Sequence, residues 1–330
     1  MSRGASCEAD DCLAVAGYTP VPVSVLSALD HCGVDLYTTD EDGRTPVLLC
    51  SRDYLLTAED VAELGRHRVR RLLVHNADRA EYIAKLRAEL DTLMIRSDVP
   101  PAERLEVLQL AVTHQLRTAF RLVQADAAVQ LCETVGRRIA RALTHGAAIP
   151  SELFGILRHN RGTFTHMVNV SVYAVLLAES LGESEDETLA AIATGALLHD
   201  IGKRQIPLAI LDHPGRLTPE QRQIVATHPQ RGLEEVRNQP ELTWGQLMMI
   251  YQHHERMDGR GYPVRVGGDE IHPWARMCAV VDVFEAMTGV RPYRRPASVP
   301  RVLKMLDEEM AGDHLDAEMV RCWTKAIRET

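Results

Sequence analysis

The sequence predicts a mainly α-helical protein: an all-helical bundle at the C-terminal side, preceded by a small α/β N-terminal domain and a long helical linker. After Pro150, apolar residues recur at helical spacing between short loops. Before that, a stripe of apolar residues runs from Pro101 to Pro150 with no proline between them. We therefore expect three parts: an N-terminal domain at 1–97, a linker at 98–149 and a helical domain at 150–330.

The N-terminal part mixes strand and helix signals. Strands are predicted at 34–38, 46–50 and 71–75, with a turn at 40–43 between the first two. Helices are predicted from a Thr57 cap to Leu64, with acidic residues in the first turn, and again over 78–94. This order of elements is too general to indicate a chemistry, and no phosphoacceptor pattern of a receiver domain is evident.

The linker stripe predicts one long amphipathic helix, or two helices broken near Gly136. Its members share a spacing of three or four residues: Leu105, Leu108, Val112, Leu116, Phe120, Val123, Ala127, Leu131, Val135 and Ile139. Such a stripe either packs on the following domain or forms a dimerising helix over 101–145, and the spacing does not distinguish the two.

The C-terminal part predicts successive helices with one long loop. The expected helices cover 164–181, 185–198, 218–227, 242–254 and 274–288, with two more towards the C-terminus. Thr218 followed by Pro219 is a typical helix start, because a capping hydroxyl precedes proline at the first helical position. The glycine-rich stretch 255–272 is expected to be an ordered loop.

Composition narrows the function classes. The 330 residues carry 37 Lys and Arg against 46 Asp and Glu, a net charge of −9, which argues against a protein that coats DNA or RNA. Seven cysteines form no CxxC pair, which is typical of reduced thiols. No secretory signal is apparent, and no apolar run approaches the roughly 20 residues of a membrane-spanning helix. We therefore expect a cytoplasmic protein that binds neither a membrane nor nucleic acid.

Histidines and carboxylates concentrate in two short segments. His199 and Asp200 occur in LLHDIGK, and His253 and His254 occur in QHHERMDGRGYP. An aspartate directly after an apolar helical run is costly to bury unless it is paired or binds a metal. Nitrogen and carboxylate ligands without cysteine suit iron or manganese better than a structural zinc site.

These segments resemble the signature of the HD-GYP family, the branch of the HD superfamily that hydrolyses cyclic di-GMP. HHERMDGRGYP resembles the GYP motif, LLHDIGK the HD motif, and ARMCAVVDVFEAMTGVRPYRRP the helix with the last aspartate and the basic turn after it. The resemblance covers roughly residues 150–330, with the motifs in the family's order. It implies an all-helical bundle with a metal centre at its heart.

The resemblance also implies a set of metal ligands. Those of the first metal would be His166, His199, Asp200 and Asp282. Those of the second would be His228, His253 and His254, with Asp200 bridging the two ions. Each histidine alone is more often a capping or surface residue, but the seven together favour a centre of two divalent ions, Fe or Mn.

Further residues resemble the family's substrate-contacting positions. Lys203 would contact a phosphate and, with Asp200, form the catalytic pair; its alternative is a solvated lysine at a helix end. The other substrate-binding positions are Arg291, Arg294, Tyr262, Gly259 and Gly261. The family often has lysine where Arg294 stands, which leaves the charge intact but changes the geometry of the cation.

The function implied by the resemblance is hydrolysis of cyclic di-GMP to linear pGpG. Further hydrolysis of pGpG to GMP is an extension of this expectation. One alternative is an inactive signalling module that binds the nucleotide or a GGDEF-type partner. Another is a phosphohydrolase acting on a different cyclic dinucleotide, such as cyclic GMP-AMP. The N-terminal part weakly resembles the small domain that precedes HD-GYP in some bacterial proteins.

The resemblance finally indicates two metals per chain and not three. Some family members carry an extra glutamate shortly before the first ligand histidine, and it recruits a third ion. Here residues 160–165 (NRGTFT) contain no carboxylate.

Overall fold

The computed structural model describes residues 15–329, except 27–28, 30–32, 41, 68, 97–98, 123–124, 145–162, 212, 214 and 290–295. The chain divides into two compact units, residues 1–107 and 108–330. Helices dominate, and the strands form one small sheet near the N-terminus, as predicted. The division at 97 and 149 stays a prediction. No described helix is both long and apolar enough to cross a lipid bilayer.

The first unit contains a four-stranded antiparallel sheet. Its elements are β1 Tyr18–Pro22, α1 Val23–Leu26, β2 Leu36–Thr39, β3 Pro46–Cys50, α2 Ala58–Arg66, β4 Arg71–His75, α3 Arg79–Ala88 and α4 Leu90–Met94. The strand order is β1-β4-β2-β3, and Tyr18 pairs with His75 across the β1–β4 ladder. Leu72, Leu73 and Val74 of β4 are fully buried, so the second strand in this order supplies the centre of the unit.

Most elements of this unit match the sequence-based expectation. β3 and β4 have the predicted bounds, β2 begins two residues late, and Thr57 caps α2 in a capping box with Asp60. β1 was not predicted, because its sequence YTPVP contains two prolines. A strand at the sheet edge tolerates proline, which has no N–H to donate to a ladder. The predicted helix 78–94 is two helices that meet at Glu89.

The second unit is helical, and α5 begins just before its boundary. Its helices are α5 Pro101–Leu122, α6 Ala125–Thr144, α7 Thr163–Ser180, α8 Asp186–Leu198, α9 Leu208–Leu211, α10 Pro219–Val225, α11 His228–Val236, α12 Trp244–Gln252, α13 Pro273–Thr288, α14 Val299–Met305 and α15 Ala317–Arg328. Two short 3-10 helices, Ile201–Gln205 and Gly268–Glu270, and a π-helical segment, Leu306–Met310, complete it.

Of the two alternatives for the linker, the one with a helix break near Gly136 is wrong. Gly136 lies inside α6, and residues 123–124, which stand between α5 and α6, are outside the described residues. A Cβ on Gly136 would lie 2.4 Å from Oγ1 of Thr194 and 2.9 Å from the carbonyl oxygen of Ala190, both in α8. The glycine therefore permits α6 to approach α8 closely.

Two central helices carry the functional segments into the core. Every residue of α7 from Thr165 to Ala178 is buried. In α8, every residue from Leu189 to Leu198 is buried except the half-buried Ala191. A helix that is apolar on all sides is surrounded by other elements. Here α7 packs on α8 and α13, and α8 also packs on α6 and α12. Side chains at these positions lie in the interior of the unit.

Candidate metal centre

The seven predicted metal ligands come from five helices. His166 lies in α7, Asp282 lies in α13, and His228 is the first residue of α11. His199 and Asp200 directly follow α8, and His253 and His254 directly follow α12. The ring centroids of His253 and His254 are 4.1 Å apart, so the end of α12 brings these neighbours to one place.

The close approach of two glycines places His228 beside Asp200. Gly202 lies in the 3-10 helix after Asp200, and Gly232 lies one turn into α11. A Cβ on Gly202 would lie 2.0 Å from the carbonyl oxygen of His228 and 2.5 Å from the amide nitrogen of Gly232. Only a residue without a side chain allows these two backbone segments to touch.

The first cluster consists of His166, His199, Asp200 and Asp282. Nε2 of His166 lies 3.1 Å from Oδ1 of Asp282 and 3.8 Å from Oδ2 of Asp200. Nε2 of His199 lies 3.3 Å from Oδ2 of Asp200. The ligand atoms of His166, His199 and Asp200 lie within 4.8 Å of one another, a spacing that one metal ion can span.

The second cluster consists of His228, His253 and His254. The ligand atoms of these three residues also lie within 4.8 Å of one another. Nε2 of His228 lies 3.1 Å from Nε2 of His253 and 3.2 Å from Oδ1 of Asp200.

Asp200 connects the two clusters through its two oxygens. Oδ2 faces His166 and His199, whereas Oδ1 faces His228 at 3.2 Å and His253 at 3.9 Å. A carboxylate with one oxygen towards each cluster has the arrangement required to bridge two ions.

Backbone carbonyls orient three of the histidines. Nδ1 of His199, His228 and His253 donates to carbonyl oxygens of the preceding helical turn at 2.6, 2.8 and 2.9 Å. With the proton on Nδ1, the lone pair of each neutral ring lies on Nε2, which faces the clusters. The helices themselves therefore select the tautomer that binds metal.

The residues present fit divalent ions. Nε2 of His199 and Oδ1 of Asp200 are buried and have no hydrogen-bond partner among the described residues. Nε2 of His228 lies near Oδ1 of Asp200, but its proton is on Nδ1, so it has none to donate. Buried acceptors left in this state are costly, and metal coordination would satisfy them.

The electrostatics of the site point in the same direction. Burial lowers the pKa of His253 far below its usual range and that of His254 to about 3, which keeps both rings neutral. Burial would raise the pKa of Asp200, but His199 and Lys203 outweigh it and hold the pKa well below its usual range. His253 and His254 are therefore held as neutral imidazoles and Asp200 as an ionised carboxylate, the protonation states of metal ligands.

His166 is surrounded by negative charge. Burial lowers its pKa, but Glu285 and Asp282 outweigh this effect and raise the pKa to about 9. This part of the centre thus stabilises a positive charge, which a divalent ion bound at Nε2 would supply.

The sequence reasoning missed Glu285. This buried carboxylate contacts Nδ1 of His166, on the side of the ring away from the cluster. Its other oxygen accepts a hydrogen bond from Nδ2 of Asn169 at 3.2 Å. The available signal was spacing, because Glu285 follows Asp282 by three residues and therefore lies on the same helix face.

The glycine-rich segment after His254 is an ordered loop, as predicted. The buried carboxylate of Glu255 accepts hydrogen bonds from the backbone nitrogens of Val264 at 2.7 Å and Arg265 at 3.0 Å. Gly259 has a φ of +70°, which favours glycine. Gly261 serves another purpose, since its Cβ would lie 2.4 Å from Cα of Glu255. The loop is thus folded back onto its own start.

Two predicted substrate-contacting residues border the centre. Nζ of the half-buried Lys203 donates to Oδ2 of Asp200 at 2.6 Å. The ring of Tyr262 lies over that of His254, with centroids 4.7 Å apart and planes at 30°. Arg291 and Arg294 lie outside the described residues. So do residues 160–162 of the segment 160–165, whose lack of a carboxylate predicts two metals and not three.

Similar proteins of known family identify the family of this chain. The HD domain family model matches residues 155–319, half of the chain. The chain is 32% identical over 217 residues to a cyclic di-GMP phosphodiesterase of Pseudomonas aeruginosa, covering 66% of this chain and 51% of that protein. It is 31% identical over 236 residues to a cyclic di-GMP phosphodiesterase of Thermotoga maritima, covering 68% of this chain and 63% of that protein.

Two further matches concern substrate and fold. The chain is 33% identical over 176 residues to a 3'3'-cGAMP-specific phosphodiesterase of Vibrio cholerae, covering 53% of this chain and 38% of that protein. It superimposes on an HDG"Y"P protein from Bdellovibrio bacteriovorus with a TM-score of 0.63 and 18% identity, over 94% of this chain and 99% of that one.

The matched part spans about two fifths to two thirds of the length of these curated relatives. The matched family model and these relatives agree with the motifs LLHDIGK and DGRGYP and with the clustered histidines. The chain therefore belongs to the HD domain family and, within it, to the HD-GYP group.

Proposed function

We propose that this chain is a metal-dependent phosphodiesterase that hydrolyses cyclic di-GMP to the linear dinucleotide pGpG. The observation that carries the proposal is the position of Asp200, whose two oxygens face two separate clusters of histidines. The names of the relatives from P. aeruginosa and T. maritima support the same substrate. Further conversion to GMP is an extension of this proposal.

The proposed centre holds two divalent ions, Fe or Mn. His166, His199, Asp200 and Asp282 would hold the first, and His228, His253, His254 and Asp200 the second. Ions bound at such sites neutralise phosphodiester charge and activate the attacking water. Five neutral histidines and two carboxylates leave a net charge of about +2 for two divalent ions, which suits an anionic substrate.

The residues around the centre would bind and orient the substrate. Nζ of Lys203 lies beside the bridging carboxylate, where it would stabilise charge that develops on a phosphate oxygen. Tyr262, held over His254, would form one wall of the site, and Gly259 and Gly261 shape the loop that carries it. Arg291 and Arg294 would grip the phosphates or a guanine base.

A second candidate substrate is cyclic GMP-AMP, because the similar phosphodiesterase of V. cholerae is specific for 3'3'-cGAMP. The homodimer through residues 101–145, a GGDEF-type partner and a cytoplasmic location remain predictions, as does a regulatory role of the N-terminal domain.

Hydrolysis assays on the anaerobically purified full chain test the proposal. We expect Mn²⁺- or Fe²⁺-loaded protein to convert cyclic di-GMP to pGpG, resolved by chromatography, and to convert 3'3'-cGAMP more slowly. Faster hydrolysis of 3'3'-cGAMP than of cyclic di-GMP would favour the second candidate substrate. Nucleotide binding without turnover, at full metal content, would instead identify a non-catalytic signalling module.

The metal content of the same protein gives a separate prediction. We expect two metal ions per chain by elemental analysis, because the described residues provide two clusters joined by one carboxylate. Removing them with a chelator should lower the melting temperature, since ions that bind only the folded state stabilise it. Three fully occupied sites in anomalous diffraction would contradict the expected count.

A further inference from the structure

A buried row of polar side chains leads from α5 to the first cluster. Gln109, 1% exposed, donates from Nε2 to Oδ1 of Asn169 at 2.7 Å, and Asn169 is 2% exposed. Nδ2 of Asn169 donates to Oε1 of Glu285 at 3.2 Å, and the other oxygen of Glu285 contacts Nδ1 of His166. Four residues from three helices thus form one continuous series of contacts.

The chemistry of this series fixes its direction. A carboxylate can only accept, so Asn169 must turn its amide nitrogen towards Glu285 and its carbonyl towards Gln109. Gln109 must then present its own amide nitrogen. Each donor is set by the next acceptor, so a change at Gln109 alters the hydrogen bonding of Glu285 at the other end.

Apolar packing alone does not account for these residues. Gln109 stands among buried neighbours in α5, where Leu108 and Val112 are fully buried. Burying an amide is costly unless it is hydrogen-bonded, and an apolar residue of similar volume would fill the position at no such cost. The polar series therefore has a role that packing does not supply.

We propose that Gln109 and Asn169 are positioning residues for the first metal site and act through Glu285 on His166. A carboxylate on the far nitrogen of a metal-binding histidine orients the ring and increases its basicity. Asn169 holds that carboxylate in place, and Gln109 holds Asn169. The affinity of the first site for metal thereby depends on α5. This inference rests on the metal centre of the proposed function.

The test measures metal affinity and does not require turnover. Mn²⁺ alone is titrated into the metal-free full chain, and free Mn²⁺ is quantified by electron paramagnetic resonance. We expect Glu285→Gln to weaken one of two sites about 10- to 100-fold, the usual effect of an outer partner of a ligand. Gln109→Leu should weaken the same site about threefold or more through the polarised series.

Two further variants separate positioning from general loosening. Gln109→Glu keeps the shape of the side chain, but its carboxylate cannot donate a hydrogen bond, so it should weaken the first site at least as much as Gln109→Leu. If the leucine variant does not fold, Gln109→Met replaces it. Ser171→Ala is the matched control on α7, because it removes a buried hydrogen bond to the carbonyl oxygen of Ala193, which has no part in the series from Gln109 to His166. It should lower the melting temperature but leave both affinities unchanged.

A double-mutant cycle decides the route. If Gln109 acts through Glu285, Gln109→Leu has no further effect on affinity in the Glu285→Gln background. The visible spectrum of the Co²⁺-loaded protein should change in both single variants and not in Ser171→Ala. Unchanged affinity in folded Gln109 variants, or fully additive losses, would overturn the inference while the two-metal centre stands. Wild-type protein that binds no Mn²⁺ would overturn both.

Discussion

Replacing Asp200 with Ala is expected to abolish hydrolysis and to remove most metal from both clusters. Its Oδ2 faces His166 and His199, and its Oδ1 faces His228. Without this carboxylate the five histidines carry no compensating charge between the two proposed ions, whose mutual repulsion then rises. A single substitution should therefore affect both sites, which no histidine variant would do to the same degree.

Elemental analysis and the cyclic di-GMP assay on the same preparation measure this effect. Asp200→Asn, which keeps an oxygen of the same size but no charge, should retain more metal than Asp200→Ala. The control is Asp186→Ala, an exposed aspartate in the first turn of α8, the helix that leads to His199. Near-normal metal content with retained activity in Asp200→Ala would refute the assignment of Asp200 as the bridging ligand.

Replacing Lys203 with Ala is expected to leave both metals bound and to slow turnover by about 100-fold or more, the scale of losing one electrostatic stabiliser. Nζ of Lys203 lies 2.6 Å from Oδ2 of Asp200, at the border of the centre, where a phosphate of the substrate would meet it. Since the ammonium would act most strongly on charge that develops during the reaction, kcat should fall more than KM changes.

Steady-state kinetics and metal analysis distinguish a Lys203 that stabilises the reacting phosphate from a Lys203 that only fixes Asp200, and from a lysine with neither role. Lys304→Ala is the control, because Lys304 is an exposed lysine paired with Glu308 on the surface. Unchanged kinetics in Lys203→Ala would make Lys203 an ordinary lysine at a helix end. Loss of metal would show that it acts by fixing Asp200.

Local sequence patterns predicted most of the helical unit. The spacing of apolar residues gave nearly correct bounds for α7, α8 and α13, because a helix buried on several sides needs a long apolar run. Thr57 and Thr218 stand at the starts of helices, and capping chemistry depends only on nearby residues. The ordered motifs around His199 and His253 were specific enough to indicate the family.

Local patterns were insufficient where distant segments meet. β1 is a strand only because β4 pairs with it, and its two prolines make the segment look unlike a strand in the sequence. Gly136 looks like a helix break in the sequence, but the approach of α8 gives it a packing role. Gly261 lacks a side chain because Glu255 lies against it, and not because of its φ.

The sequence by itself determined the mainly helical class, the membership in a family and a list of seven candidate ligands, because these depend on periodicity and on motifs of adjacent residues. Only the tertiary structure decided which ligands face each oxygen of Asp200. It also decided that Nε2 of His166, His199, His228 and His253 faces the clusters. It also revealed that Glu285, Asn169 and Gln109 continue the centre into the core. These contacts join residues 60 and 116 positions apart, and no local pattern records such pairs.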